Sequence, residues 1–333
     1  MKILITGVAG FVGSHLASLL AEQGNEVHGL DNLSPYYAPD LKKLRLSKLI
    51  EPKNIKFLNL DLVDGKPLRQ FLEKNDYESV IHLAAQPGVR TPLNRSHEYI
   101  ENNVQAFTNV LQLVTELEIP NFLYASSSSV YGNSKEIPYS ESSGDIHPVS
   151  IYGATKRANE LLAPAYVRQS KTRARGLRFF TVYGPWGRPD MAYFRLINSG
   201  INKTEFTRFG DGNIRRDFTF ISDITNQISG LLKELQNREQ GFSDIVNIGG
   251  GNPHSLNDLI EAVNIGLGSN IQILNSGMNP NDTLYTCADV SLQKSLTGFI
   301  PQISLEAGIQ ETIKWASSGD IYKELDRWIK STN

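Results

Sequence analysis

Ile3-Leu4-Ile5-Thr6 runs without a break into Gly7-Val8-Ala9-Gly10-Phe11-Val12-Gly13. A short apolar run closed by glycine is the pattern of a buried parallel strand. Val12, Leu16, Leu19 and Leu20 then recur at helical spacing, and Gly24 stands where a helix ends. Few folds take a strand through a glycine turn straight into a helix, and the rest of the first half agrees with one of them. Strands are expected at 3–6, 27–31, 55–60, 79–83, 122–126 and 174–180. Helices are expected at 67–74, 97–118 and 151–170, with Pro164 kinking the last. Strand–helix alternation of this kind predicts an α/β protein with a doubly wound parallel sheet.

The glycines also predict a ligand. They allow the tight turn, the approach of a pyrophosphate to the backbone, and close helix–strand packing. The helix N-terminus then offers free N–H groups to an anion. A plain βα turn would need the same glycines, so the second strand decides. Asp31 ends it, where a carboxylate accepts the adenosine ribose hydroxyls and repels a 2′-phosphate. This predicts NAD rather than NADP, held by Gly7, Gly10, Phe11, Val12, Gly13, Asp31 and Asn32. Asp61 and Leu62, after the third strand, are expected beside the adenine.

After residue 184 turn signals multiply, among them Gly184-Pro185, Asp211-Gly212 and Gly249 to Gly251. The division expected is an NAD-binding domain over 1–180 and a smaller substrate lobe over 181–213 and 246–333. The stretch 214–245, with a strand at 214–221 and a helix at 224–235, is expected to return to the main sheet.

Two clusters carry chemistry. Tyr152 and Lys156 stand at i and i+4 on one helix face. A lysine ammonium and a positive nicotinamide ring would favour the phenolate. By itself the pair is a common helix-surface pattern. Ser126 to Ser129 close the fifth strand at the end where open α/β sheets bind ligands. Alternation puts Ser127 and Ser129 on one face.

Composition removes several other functions. Lys plus Arg is 33 against 35 Asp plus Glu, so there is no basic surplus for nucleic acid. The lone Cys287 allows no internal disulfide framework. No apolar run reaches the length of a membrane helix. The chain opens directly on its first strand, without a secretory leader. A soluble, cytoplasmic protein without a metal site is expected. His15, His82 and His254 are read as structural.

Thr6-Gly7-x-x-Gly10-Phe11-x-Gly13, His82-Leu83-Ala84-Ala85-Gln86, Ser126-Ser127-x-Ser129-Val130-Tyr131-Gly132 and Tyr152-x-x-x-Lys156 occur in that order. Together they resemble the extended short-chain dehydrogenase/reductases, in particular the nucleotide-sugar epimerases and dehydratases. The resemblance implies Tyr152 as acid–base, Lys156 as its support, and Ser127, with Ser129 as second choice, completing the triad. It places Leu83, Ala84, Ala85 and Asn103 beside the cofactor. It also implies a homodimer through the tyrosine helix. Dehydratases of this kind carry an acid beside the triad serine, and decarboxylases tend to carry a Glu there. This chain has Ser128-Ser129.

The segments 32–42, 86–90 and 177–191 resemble UDP-glucuronate 4-epimerases, although Pro87 departs from the alanine usual in its loop. A UDP-sugar substrate follows, with UDP-glucuronate decarboxylase and the UDP-N-acetylhexosamine or UDP-glucose 4-epimerases as alternatives. A uronate carboxylate suits Arg90 and Arg188, since guanidinium matches carboxylate bidentately. Thr181 and Ser127, Ser128 and Ser129 could complete that site. By resemblance, Arg216 meets the diphosphate and Asp282 the UDP ribose.

Overall fold

The computed structural model describes residues 1–89, 93–277 and 285–331. The first half alternates as its pattern requires: β1 (Lys2–Thr6), α1 (Phe11–Glu22), β2 (Glu26–Asp31), α2 (Pro39–Arg45), β3 (Lys56–Asn59), α3 (Gly65–Leu72) and β4 (Ser79–His82). Then come α4 (Ser96–Tyr99), α5 (Ala106–Glu116), β5 (Asn121–Ser127), α6 (Ile151–Val167), β6 (Arg173–Phe179) and β7 (Thr181–Tyr183). The second half holds α7 (Ala192–Asn202), β8 (Phe206–Phe209), β9 (Arg215–Phe220), α8 (Ile221–Leu235), β10 (Ser243–Ile248), β11 (Pro253–Ser255) and α9 (Leu256–Leu267). It closes with β12 (Ile273–Ser276), α10 (Ser291–Thr297), α11 (Leu305–Ala316) and α12 (Gly319–Lys330).

Among the described residues, seven parallel strands form the main sheet in the order β10-β6-β5-β4-β1-β2-β3. The order reverses between β1 and β4, and the carboxyl ends there open a crevice for a ligand. Each face of the sheet is covered. Ile3, Ile5, Ile81, Leu123 and Leu177 pack with α1 and with Ile224, Ile228 and Leu231 of α8. Leu4, Val80, Phe122 and Tyr124 pack with Phe107 and Val110 of α5 and Ala163 of α6.

The strand at 214–221 does not return to this sheet. β9 pairs with β7 and β11 in a three-stranded sheet, while the helix after it does pack on the main one. The seventh main-sheet strand is instead β10, which starts at the end of the 214–245 stretch expected to return. The parallel crossover from β6 passes through β7 and β9 of the second sheet before returning, a connection that short-range patterning does not encode. The smaller lobe has its own core, in which Tyr193, Leu259, Ile309 and Trp328 are buried.

The expected helix over 97–118 is interrupted by a π-helical stretch at 100–105. Pro164 lies inside α6, which runs on to Val167. Among the described residues no helix is long and apolar enough to cross a membrane.

Candidate active site

The glycine turn is built almost wholly from backbone. Gly7 has a φ of +75°, and a Cβ there would lie 2.7 Å from the Ala84 nitrogen after β4. A Cβ on Gly13 would lie 2.1 Å from the Gly7 carbonyl oxygen, and one on Gly10 2.9 Å from the same atom. Glycine is needed at these positions for packing, whatever binds. The site fits a dinucleotide for a separate reason. α1 begins after Gly10 with no side-chain cap and no acid in its first turn, so its leading N–H groups and positive dipole end face the turn. Phe11 packs its edge on His15, and Val12 stands beside it in the same turn.

Asp31, buried at the end of β2, is the acceptor expected there. Its oxygens take N–H groups from Ala9 at 3.1 Å and Leu33 at 2.8 Å, which aims the carboxylate across the turn. Lys42 Nζ stands 3.9 Å away, a buried partner absent from the sequence reading. Asn32 donates to Asp61 at 3.0 Å, so these two polar groups share one rim, with Leu62 buried behind them. Leu83 and Ala84 follow β4 with their backbone against Gly7, and Ala85 comes next in the chain. Asn103 is buried 17 residues further on in the chain from Gln86 and clamps it. Its side chain accepts from Gln86 N at 2.7 Å and donates to Gln86 O and Thr155 Oγ1, each at 3.1 Å. It thus ties the β4 loop to the tyrosine helix.

Tyr152, Lys156 and the serines meet as expected. Ser127 faces the Tyr152 phenol and favours its ionised form. Its hydroxyl lies 3.1 Å from Ser129 Oγ and accepts the Ser129 N–H at 3.2 Å. Strand alternation does not bring these serines together, because β5 ends at Ser127 and Ser128–Tyr131 is a 3-10 turn. The turn curls Ser129 back over Ser127, with Ser128 between them. Lys156 Nζ stands 5.8 Å from the Tyr152 ring centre and donates to Ala125 O at 2.9 Å.

Burial acts on both members of the pair. It pushes the Tyr152 phenol above its ordinary range, while Arg188 and the Ser127 hydroxyl pull the other way. It pulls the Lys156 ammonium down to about 8. Arg188 is thus a positive group that eases ionisation of Tyr152, in addition to the lysine singled out from spacing.

Arg188 is already engaged. Its Nε donates to Asp190 Oδ1 at 3.0 Å and its Nη2 to Oδ2, leaving the Nη1 side for another partner. It also lies 6.0 Å from the Tyr36 ring centre. Burial, against the pull of Arg188, raises the Tyr36 phenol to about 12. Tyr99 meets the Tyr152 ring edge-on at 6.4 Å. Thr181 lies two residues beyond Phe179, the β6 partner of Ser127, where it opens β7 and pairs with Phe218 of β9. Arg216 sits on β9 opposite His254 of β11. Arg90 and Asp282 lie outside the described residues.

Under the site runs a pair that the sequence reading missed. Glu160, one turn after Lys156, takes Arg178 Nε at 2.8 Å and Nη2 at 2.9 Å, with both side chains buried. Ser126 donates to the same carboxylate at 2.6 Å. Glu160 continues the Tyr152–Lys156 stripe at the i+4 spacing, which was the available signal. His82 and His15 take structural places. Burial pulls His82 down to about 3 against Thr6, and His15 down to about 4 against the Pro185 carbonyl. Cys287 is buried, and among the described residues no cluster could hold a metal ion.

Comparison with known proteins agrees with this geometry. Residues 3–249 match the model of the NAD dependent epimerase/dehydratase family. Protein CapI of Staphylococcus aureus is 38% identical over 95% of this chain and 98% of its own. The UDP-glucuronate 4-epimerase of Thermodesulfobacterium geofontis is 37% identical over 94% of this chain and 95% of its own. The Bacillus cereus UDP-glucuronic acid 4-epimerase, solved with UDP-glucuronic acid and NAD, superposes with a TM-score of 0.85. It is 33% identical, and the match covers 95% of this chain and 98% of that one. A glycine turn facing a bare helix end, a carboxylate at the second strand and a Ser–Tyr–Lys cluster across the crevice thus accompany a match over most of the chain, which belongs to the NAD dependent epimerase/dehydratase family.

Proposed function

We propose that the protein interconverts UDP-glucuronate and UDP-galacturonate as an NAD-dependent 4-epimerase. One observation supports this most. The turn beside Tyr152 carries three serines and no acid, with the Arg188 charge close by. Expelling a hydroxyl from the sugar would call for an acid at that turn, whereas inverting C4 requires only proton and hydride transfer.

Bound at the glycine turn, NAD would supply a hydride acceptor that returns the hydride to C4. Tyr152 takes the O4 proton as the alcohol is oxidised and gives it back on reduction. Ser127 holds that oxygen in line with the phenol. Lys156, fixed by Ala125, reaches toward the ribose hydroxyls of the nicotinamide half. General acid–base help of this kind contributes about 10²–10⁴-fold. The 4-keto form of a uronate is a β-keto acid and loses CO₂ when its carboxylate bond aligns with the ketone. Ser127, Ser128, Ser129 and Thr181 hold the carboxylate away from that alignment. Arg188 adds charge through its Nη1 side, because Asp190 occupies the other edge. Arg216 meets the diphosphate.

Residues 1–180 with β10 are read as the NAD half, and 181–213 with the chain after Ile248 as the sugar-nucleotide half. A homodimer through α6 is consistent with Leu161, 61% exposed on that helix. Sedimentation of Leu161→Glu as a monomer would support it. Cytoplasm is the compartment proposed, since reducing conditions suit a lone thiol.

The test uses purified enzyme and UDP-glucuronate without added NAD, with the nucleotide sugars separated by anion exchange. UDP-galacturonate without a pentose is expected. UDP-xylose instead would make the protein a decarboxylase. Turnover of only neutral or N-acetylated UDP-hexoses would overturn the uronate.

A further inference from the structure

Arg45, at the end of α2, is fully buried and pairs with no carboxylate among the described residues. A lone buried charge is costly unless its donors are met. Here four neutral oxygens meet them. Nε donates to Trp186 O at 2.8 Å and Nη2 to Gly187 O at 3.0 Å. Nη1 donates to Ala9 O at 3.0 Å and to the Tyr37 hydroxyl at 2.6 Å. The carbonyl before these in the chain, Pro185 O, accepts from His15 Nε2 at 3.0 Å.

Three consecutive carbonyls of the loop leading to Arg188 are therefore gripped from the cofactor half. Trp186 is held at a φ of +61°, a left-handed conformation that a tryptophan adopts only under constraint. Tyr193 packs so close to Gly187 that a Cβ there would lie 1.6 Å from its hydroxyl. The next residue is Arg188. One guanidinium thus joins the glycine turn, through Ala9, to the backbone that presents the sugar-side arginine.

We propose that Arg45 is a positioning residue, which sets Arg188 beside Tyr152 by fastening the 185–187 loop to the glycine turn. Only a planar fork with five donors reaches all four oxygens at once, so lysine cannot replace it. The proposal rests on Arg188 being a sugar-side contact, as read above.

Parent, Arg45→Lys, Arg188→Ala and the double variant would be compared as holoenzymes on whichever UDP-hexose the parent turns over. Arg45→Lys should lower kcat/KM by about 10- to 100-fold, as expected of a reacting group misplaced by an ångström. Binding of UDP alone should stay at the parental value, since UDP lacks the sugar. In the Arg188→Ala background the same change should add less than about 2-fold, because neighbours acting as one unit are not additive. Should Arg45→Lys fail to fold, Tyr37→Phe removes one acceptor only and should show a smaller loss, again absent without Arg188. Losses that multiply in the double variant, parental kinetics in both single variants at position 45 and 37, or an equal loss of UDP binding would each overturn the proposal. An Arg188→Ala enzyme with parental kinetics would instead overturn the reading of Arg188 on which it rests.

Discussion

The two flanks of the crevice are made differently. On the cofactor flank the contacts are backbone groups: the turn at Gly7–Gly13, the start of α1, and the chain after β4. Asp31, Lys42 and Asp61 are charged side chains there, and backbone N–H groups aim Asp31. The sugar flank is made of side chains drawn from separate stretches, with Tyr36, Tyr99, Tyr152, Ser127 and Arg188 converging around one phenol. A backbone-built surface tolerates no added atom but little depends on side-chain identity away from its glycines. A side-chain-built surface can lose one group and keep its shape. The first flank should therefore fail as a whole and the second function by function.

Gly13→Ala tests the first half of that contrast, with the largest effect. Its Cβ would meet the Gly7 carbonyl oxygen at 2.1 Å, so the turn must open. Loss of bound NAD and about 3 kcal/mol or more of stability is expected, read from nucleotide released on denaturation and from the melting curve. A variant that keeps both would refute the claim that this flank is rigid.

Tyr152→Phe tests the other half. It should cut kcat by about 10²–10⁴-fold, while NAD content and melting temperature stay near parental values. Loss of NAD along with turnover would mean the flanks are not separable.

Glu160→Gln probes the support beneath both. It leaves the buried Arg178 without its counter-charge, at a cost of roughly 3–5 kcal/mol. Pairing Glu160→Leu with Arg178→Met should restore most of the stability in urea unfolding. If it does not, the pair has a role beyond neutralising itself.

The smallest effect is a pH dependence set by His82. Its folded value near 3 lies below the ordinary 6.5. Between those values the unfolded chain binds a proton that the folded chain refuses. Stability must then fall as pH drops from about 6.5, by roughly 2 kcal/mol at about pH 5 for one such group. His82→Asn should flatten that slope. An unchanged slope would mean that His82 accepts a proton without unfolding the site.

Legibility follows the same division. The glycine turn, Asp31 and the first six main-sheet strands could be read because each is a local pattern, a few residues long, that fails if any member moves. The π-helical stretch within 97–118 could not, since a helical pattern does not show which turn widens. The seventh strand was misplaced because β9 and β10 are both short segments that mix polar and apolar residues, and pairing partners choose between them. Asn103 was placed beside the cofactor by its motif, and the structure shows what its amide actually does between Gln86 and Thr155. Lys42, Arg45 and Arg178 gave no signal, because a charged side chain on a helix or strand is ordinarily solvated, and Glu160 gave only its i+4 spacing from Lys156.

Chemical identity was thus written along the chain: which residues can take a proton, which turn can approach a phosphate, and the lack of an acid beside Ser127. Which charges act on those residues was settled only in three dimensions. Lys156 is close to Tyr152 in sequence, but that Arg188, 36 residues away, also counters burial of the phenol could not be read along the chain. Electrostatic work depends on distance and on the surrounding medium, and both are properties of the packed molecule.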